Sequence, residues 1–434
     1  MHHILRKFPK DAPGPVVVKA EGNYIHTADG RKLLDTTAGN TSLAVLGWGH
    51  QGVLDAMRAQ MDKFCHVDIN VWTNPMLEEL GELLLSQAPK GLNRVYYVGN
   101  SGSEAMEAAL KLSYQAHHDA GNKQRTWFIS RLQSFHGATL HGVGVSELPI
   151  LNFYRPLLPA QLAQIQQHNP YLGRKEGESL EEYSARGAQE LEDKILEIGP
   201  DNVAAFIGET QLGSLVGDVP AAPGYWKAIR AVCDKYGVHL ILDEIYCGLG
   251  RSGKIYNCSW DDVTPDFVAI GKNLGAGYAP LSAVVTNDSL EKIVVSPTGQ
   301  GRIQHGHTHQ GYSLGAAAAL AVQKIVHTPE MLGHISSLGQ HMRDRLTGEL
   351  GDHPFFRNVR GRGLLFSIEH DCENKNGFAQ AVSKIMLERH QVIINAKWHR
   401  TSFTPPYSLT REQADYVLDG FIGAFKEVSV NWPK

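Results

Sequence analysis

Val238-His-Leu-Ile-Leu-Asp-Glu-Ile245 and, downstream of it, Phe267-Val-Ala-Ile-Gly-Lys272 decide the fold. Each is a short apolar run that ends on a charged side chain. A run apolar on both faces marks a parallel strand covered by helices. Asp243 then arrives at the C-terminal edge of a sheet, where α/β proteins bind ligands. Lys272 follows a second strand and is flanked by Gly271, Gly275 and Gly277. Further apolar runs at residues 95–98, 127–129, 203–207 and 283–286 alternate with helical patterns at 104–115, 188–197 and 225–236. That order predicts an α/β fold with a large doubly wound mixed or parallel sheet.

Past residue 313 the texture changes. An Ala-rich helix from residue 314 leads to a second helix near 331–350. A strand–turn–strand follows through Asn358-Val-Arg-Gly-Arg-Gly363, and helices near 378–389 and 411–425 close a smaller α+β domain. The expected division is 1–60 as an N-terminal segment packing with the small domain, 61–312 as the large domain, and 313–434 as the small one. Residues 148–182, rich in Pro, Gln and Tyr, read as a long surface excursion.

The 434 residues carry 41 basic and 45 acidic side chains, a net charge of −4. Such a balance gives no field to attract nucleic acid or an anionic membrane. Apolar residues make up 42 %, enough for a large core, yet no stretch approaches the roughly 20 apolar residues of a membrane helix. The start of the chain has no apolar run, and Pro9, Pro13 and Pro15 interrupt the place of a signal-peptide core. Five cysteines without a Cys-x-x-Cys pair read as reduced thiols, so a cytoplasmic protein is expected.

Four segments carry candidate chemistry. In Val98-Gly-Asn-Ser-Gly-Ser-Glu-Ala-Met106, Ser101 and Glu104 form a capping box, and the N–H groups of Gly102 and Ser103 open a helix. Gly102 has no side chain to block an anion, so this is a phosphate cradle, although an ordinary capped helix has the same spelling. Asp243 needs a cationic partner or a ring nitrogen, or is a salt-bridged strand end. Lys272, desolvated, would be a nucleophilic amine able to form a Schiff base; surface lysines in glycine-rich turns are commoner. His305, His307 and His309 alternate and would share one face in extended chain, but no carboxylate or cysteine beside them completes a tetrahedral set. No metal is expected.

Together these segments resemble the class III (omega-type) aminotransferases, pyridoxal 5'-phosphate (PLP) enzymes of fold type I. The likeness runs from Asp29-Gly30 to Pro405-Pro406. Its most specific part is Leu242-Asp-Glu-Ile-Tyr-Cys-Gly-Leu-Gly-Arg-Ser-Gly253 followed by Lys272; Asn100-Ser-Gly-Ser-Glu104, Phe135-His-Gly137 and Gly306-His-Thr308 match in order and spacing. The resemblance implies that Lys272 is the Schiff-base lysine and proton shuttle, and that Asp243 pairs with the pyridine nitrogen and keeps it protonated. It implies a phosphate cup at Ser101, Gly102 and Ser103. Phe135 would stack on one ring face with His136 beside it, and Ile245 would pack on the other. Glu209 would lie near the cofactor's hydroxyl side, with Thr210 where the family has proline. Thr308 would reach the phosphate of the neighbouring subunit, which implies an obligate homodimer and leaves pairing into a tetramer open.

The departures bear on substrate. Ornithine- and GABA-type members place a carboxylate-gripping arginine where this chain has Ser402, and a gating glutamate where it has Ser214. Amine:pyruvate members use an arginine where it has Asn395. Lys397, His399 and Arg400 stand nearby as substitutes, and Trp48 or Trp72, Tyr154 and Tyr278 would give an aromatic pocket. The resemblance implies a transaminase moving an amino group from a primary amine, ω-amino acid or amino acid to a keto acid, pyruvate or 2-oxoglutarate, by a ping-pong mechanism. Relatives with the same cofactor set include amino-acid epimerases or racemases, decarboxylating aminotransferases and phospho-lyases, so the residues leave these open. A non-catalytic scaffold is disfavoured, because a degenerate site has no reason to retain a buried charge pair.

Overall fold

The central sheet of the computed structural model has seven strands. Their order is Arg94–Tyr97, Ala283–Thr286, Phe267–Ile270, His239–Asp243, Val203–Glu209, Trp127–Arg131 and Leu162–Ile165. Ala283–Thr286 is antiparallel to both neighbours; the remaining contacts are parallel. The structure describes residues 3–5, 7, 14–213, 216–397 and 400–433.

Covering helices explain the doubly apolar strands. Leu240 and Leu242 point into the larger core cluster, whereas Ile241 between them joins the smaller one. The helix Gly102–Asp119 closes the smaller core, with Ala105, Met106, Ala109 and Leu112 against Ile207, Ile241 and Ala269. On the opposite face, Tyr225–Tyr236 buries Trp226, Ile229 and Cys233. Each large apolar side chain buried this way contributes about 1.5–3 kcal/mol.

The strands run further than the apolar pattern predicts, reaching Arg131, Glu209 and Asp243. Parallel register pairs Glu209 with Asp243 and Asp243 with Ala269, so these polar ends meet at one edge. The expected surface excursion is in part sheet: Leu162–Ile165 pairs with Trp127–Arg131, and the next helix already starts at Leu180. Its Leu-Ala-Gln-Ile sequence is too short and mixed to show a period, as is common for an edge strand.

Two four-stranded sheets complete the fold. Val17–Glu21, Tyr24–Thr27 and Lys32–Asp35 form a meander joined in parallel by Val392–Ile393. Phe356–Arg362, Leu365–His370, Arg400–Phe403 and Asn395–Lys397 form the other, with the helices Pro329–Leu350 and Lys375–Arg389 beside it. Arg251, fully buried, fastens these parts together. Its guanidinium donates to the carbonyls of Ser42 (3.0 Å), Leu364 (3.3 Å) and Pro405 and lies 4.6 Å from the Tyr407 ring centroid.

Candidate active site

A cavity of about 650 Å³ opens at the C-terminal ends of the central strands. It brings together Ser101, Gly102, Ser103, Phe135, His136, Glu209, Asp243, Ile245 and Lys272, nine residues picked out in the sequence.

Lys272 follows extended Gly271 and has φ +34°, a left-handed value that a lysine adopts only when its surroundings enforce it. The enforcement is visible one residue on. Asn273 Nδ2 donates to the Gly248 carbonyl at 3.0 Å, and Gln323 Nε2 donates to the carbonyls of Asn273 (2.9 Å) and Leu274 (3.1 Å). This held turn sends the amine into the cavity, where Nζ lies 5.4 Å from the ring centroid of Tyr246.

Asp243 is buried and oriented from two sides. Oδ1 accepts from the Ile245 N–H at 3.1 Å, and Oδ2 lies 2.9 Å from His136 Nδ1. An ionised carboxylate only accepts, so Nδ1 carries the proton of that bond. Nε2 of the same ring is buried without a hydrogen-bond partner, 3.9 Å from Glu209 Oε2. Glu209 takes the Phe135 N–H on Oε1 (3.2 Å) and Arg131 on Oε2 (3.2 Å). Arg131 is itself buried, its guanidinium 5.1 Å from the Trp226 ring, and a Cβ on Gly208 would sit 3.0 Å from its Nη2. Behind this layer lies Glu244. Burial pushes its carboxyl up to about 7, although it accepts from the Asn257 (2.6 Å) and Cys258 (2.7 Å) N–H groups and the Thr210 hydroxyl (3.0 Å).

The cradle is sterically exact about glycine. A Cβ on Gly102 would lie 2.6 Å from Ile245 Cγ2, and one on Gly137, which has φ +124°, would lie 2.9 Å from Ser103 Cα. Ser101 is the N-cap, and the Glu104 carboxylate turns back to accept from the N–H groups of Asn100 and Ser101. The first turn therefore offers its own N–H groups and the positive end of the helix dipole. PLP has an anionic phosphate, a basic ring nitrogen and an aldehyde. The cavity answers these with a helix N-terminus opened by the side-chain-free Gly102, a fixed buried carboxylate and a lysine amine, and the residues fit the group. The site and sheet together are those of a fold-type I PLP enzyme.

Other residues singled out in the sequence lie outside this cavity. Thr308, expected at the neighbouring subunit's site rather than its own, does not line it; its carbonyl lies 2.8 Å from His66 Nε2. Trp48, Trp72, Tyr154 and Tyr278 are also absent from the lining. The Tyr278 hydroxyl is used by the His50 N–H (2.7 Å) and the Gly47 carbonyl (3.3 Å), and Trp48 packs beside Gly39. Ser402 donates, with Ser367, to the buried carboxylate of Asp218. Arg400 is buried against Glu369 (2.8 Å), which Arg360 also engages. Asn395 is buried in a strand of the C-terminal sheet. Ser214, His399 and the Lys397 side chain lie outside the described residues. The histidine alternation breaks at a turn in which the Gln310 N–H meets the His307 carbonyl. His305 and His307 stay edge to face at 4.8 Å, while His309 turns to His66 at 5.3 Å. Among the described residues no three His, Cys, Asp or Glu side chains converge as metal ligands.

The cavity adds Asn40, Gln133, Gln211 and Tyr246, which sequence reasoning did not select. Only Asn40 carried a signal. Its Gly-Asn dipeptide marks a tight turn, and Gly39 and Asn40 have φ +78° and +62°.

Comparison with known proteins agrees with this chemistry. The model of the class-III aminotransferase family matches residues 9–425. An uncharacterised aminotransferase of Schizosaccharomyces pombe is 35 % identical over 96 % of this chain and 94 % of the relative. Gamma aminobutyrate transaminase 2 of Solanum lycopersicum is 31 % identical over 95 % and 92 %. The structure of the omega transaminase from Pseudomonas jessenii in complex with PMP superposes with a TM-score of 0.90 at 27 % identity, covering 96 % of this chain and 93 % of that one. The chain belongs to the class III aminotransferases. It is an aminotransferase, and its cofactor is PLP.

Proposed function

We propose that this aminotransferase takes the amino group of a primary amine or ω-amino acid and passes it to a keto acid, pyruvate or 2-oxoglutarate, in two half-reactions at the cavity of Lys272. The observation that carries the donor side is the lining itself: among the described residues it contains no arginine. Ser402 is tied to Asp218 and Arg400 to Glu369, so neither presents a free grip for a second carboxylate on the donor. Carboxamides of Asn40, Gln133 and Gln211 line the wall instead, and their N–H groups can donate to a single carboxylate or to a neutral group.

PLP, once bound, supplies the electron sink for the charge that develops at the substrate Cα. Everything else falls to the chain. The first turn at Gly102 and Ser103 holds the phosphate through backbone N–H groups. Asp243 anchors the ring nitrogen and keeps its proton, while His136 and the Ile245 N–H keep Asp243 in place. Phe135 and Ile245, which line the cavity, would pack against the two faces of the ring. Lys272 Nζ would hold the cofactor at rest and, once freed, would move the proton between the substrate Cα and the cofactor carbon that bore the aldehyde. Thr308, outside its own cavity, would serve the neighbouring subunit of a homodimer, which sedimentation equilibrium tests.

Holoenzyme absorbance tests the reaction. Amine donors should bleach the visible band, and one of the two keto acids should restore it. Lys272→Ala should lose the band and at least about a thousandfold in rate, as removal of a nucleophilic group does. A band that donors perturb while solvent deuterium enters Cα, with no keto acid consumed, would refute transamination on these donors.

A further inference from the structure

Tyr246 is the aromatic residue on the turn between Asp243 and Arg251, and its ring is half-buried in the cavity wall. Gly213 stands beside it at ordinary packing distance: a Cβ there would be 3.8 Å from Tyr246 Cδ1. The Lys272 turn is constrained, through Asn273 and Gln323. The held Lys272 turn brings Nζ to 5.4 Å from the ring centroid, inside the range in which an ammonium is attracted to the negative face of an aromatic ring. A neutral amine gains far less from that face.

Resting on the reading of Lys272 as the reactive lysine, we propose that Tyr246 is a positioning residue for it. Its ring face holds the protonated amine, fixing where Nζ waits between proton transfers and raising its basicity. The attraction works among other charges. Asp243 and Glu209, with His136 between them, line the same cavity and also favour an ammonium, and Cys247 sits on Tyr246's own turn. The positive helix end at Gly102 and the desolvation of the pocket oppose it. Glu244 directs its carboxylate away, to Asn257 and Cys258. Removing the ring while keeping bulk should shift the balance toward the neutral amine.

The test uses apoenzyme and pyridoxal, which has the aldehyde but no phosphate. Adduct formation is followed by absorbance against pH, with Lys272→Ala as the blank. In Tyr246→Leu the apparent pKa of the lysine should fall by about 0.5 to 1, equivalent to about threefold to tenfold more neutral amine below that pKa. Tyr246→Phe should stay within a few tenths of wild type. Phenylalanines carrying one to three fluorines at 246 keep the shape and weaken the ring face, so the pKa should fall stepwise; this series decides the matter if Tyr246→Leu does not fold. Equal values across the fluorinated series, or Phe behaving as Leu does, would overturn the proposal. An adduct that persists in Lys272→Ala would instead overturn the assignment of the reactive lysine.

Discussion

Gly102→Ala adds one carbon at the most crowded point of the cradle. Gly102 has no positive φ, so the backbone accepts alanine and only space is at issue. The new Cβ would lie 2.6, 2.7 and 3.1 Å from Cγ2, Cδ1 and Cγ1 of Ile245, whereas carbon atoms rest about 3.5–4.0 Å apart. Ile245 must retreat by about 1 Å, and overpacking of that size costs about 1–3 kcal/mol. Alanine's better helix propensity offsets about 1 kcal/mol at most, less in a first turn. Ile245 is a wall of the cavity, so the displacement narrows the space inside it. We expect the Kd of apoenzyme for PLP, titrated by absorbance, to rise roughly tenfold to a hundredfold, since about 1.4 kcal/mol is tenfold. Ile245→Ala removes all three clashing carbons. Combined with Gly102→Ala it should recover at least about 1 kcal/mol relative to the sum of the single effects. Wild-type affinity in Gly102→Ala, or strict additivity in the double variant, would refute the packing argument.

Two further changes read the surroundings of the site. Glu244 has a carboxyl held at about 7 in the fold against 4.5 ordinarily, so the folded state keeps a proton that the unfolded chain has released. That contribution is complete below pH 4.5 and is lost as pH rises toward 7, by up to about 3 kcal/mol in all; the stability difference between wild type and Glu244→Gln, from urea melts across pH 5 to 8, should show this slope and flatten above 7. Ser402→Ala deprives buried Asp218 of one of its donors and should cost about 1–3 kcal/mol of stability, while the KM for the keto acid stays unchanged, because the hydroxyl serves Asp218 rather than substrate.

The parts of the site that lie within one contiguous motif were legible in the sequence. The capped turn at Ser101–Glu104 and the strand ends carrying Asp243 and Lys272 announce themselves through local periodicity and glycine spacing. The parts assembled by register were not. Arg131 reaches Glu209 only because two strands pair side by side, and Leu162–Ile165 becomes a strand only by pairing with Trp127–Arg131. Which aromatic side chain faces the cavity is likewise set by tertiary packing. Tyr278 has a hydroxyl that the backbone of Gly47 and His50 occupies, whereas Tyr246 hides in a motif read for its acid and its glycines. The histidines at 305, 307 and 309 alternate on paper, but a turn at 308–310 rotates the last away from the others.

Asp243 and Arg251 stand on one short stretch of chain, the first facing the cavity and the second clamping three carbonyls from the N-terminal, C-terminal and closing segments. A ligand that immobilises Asp243 therefore also favours the state in which those segments are docked. Occupancy and folding become a single equilibrium: cofactor at a hundredfold its Kd adds about 2.7 kcal/mol to native-state stability by mass action. Where proteases remove whatever transiently opens, the lifetime of this protein follows the supply of its coenzyme.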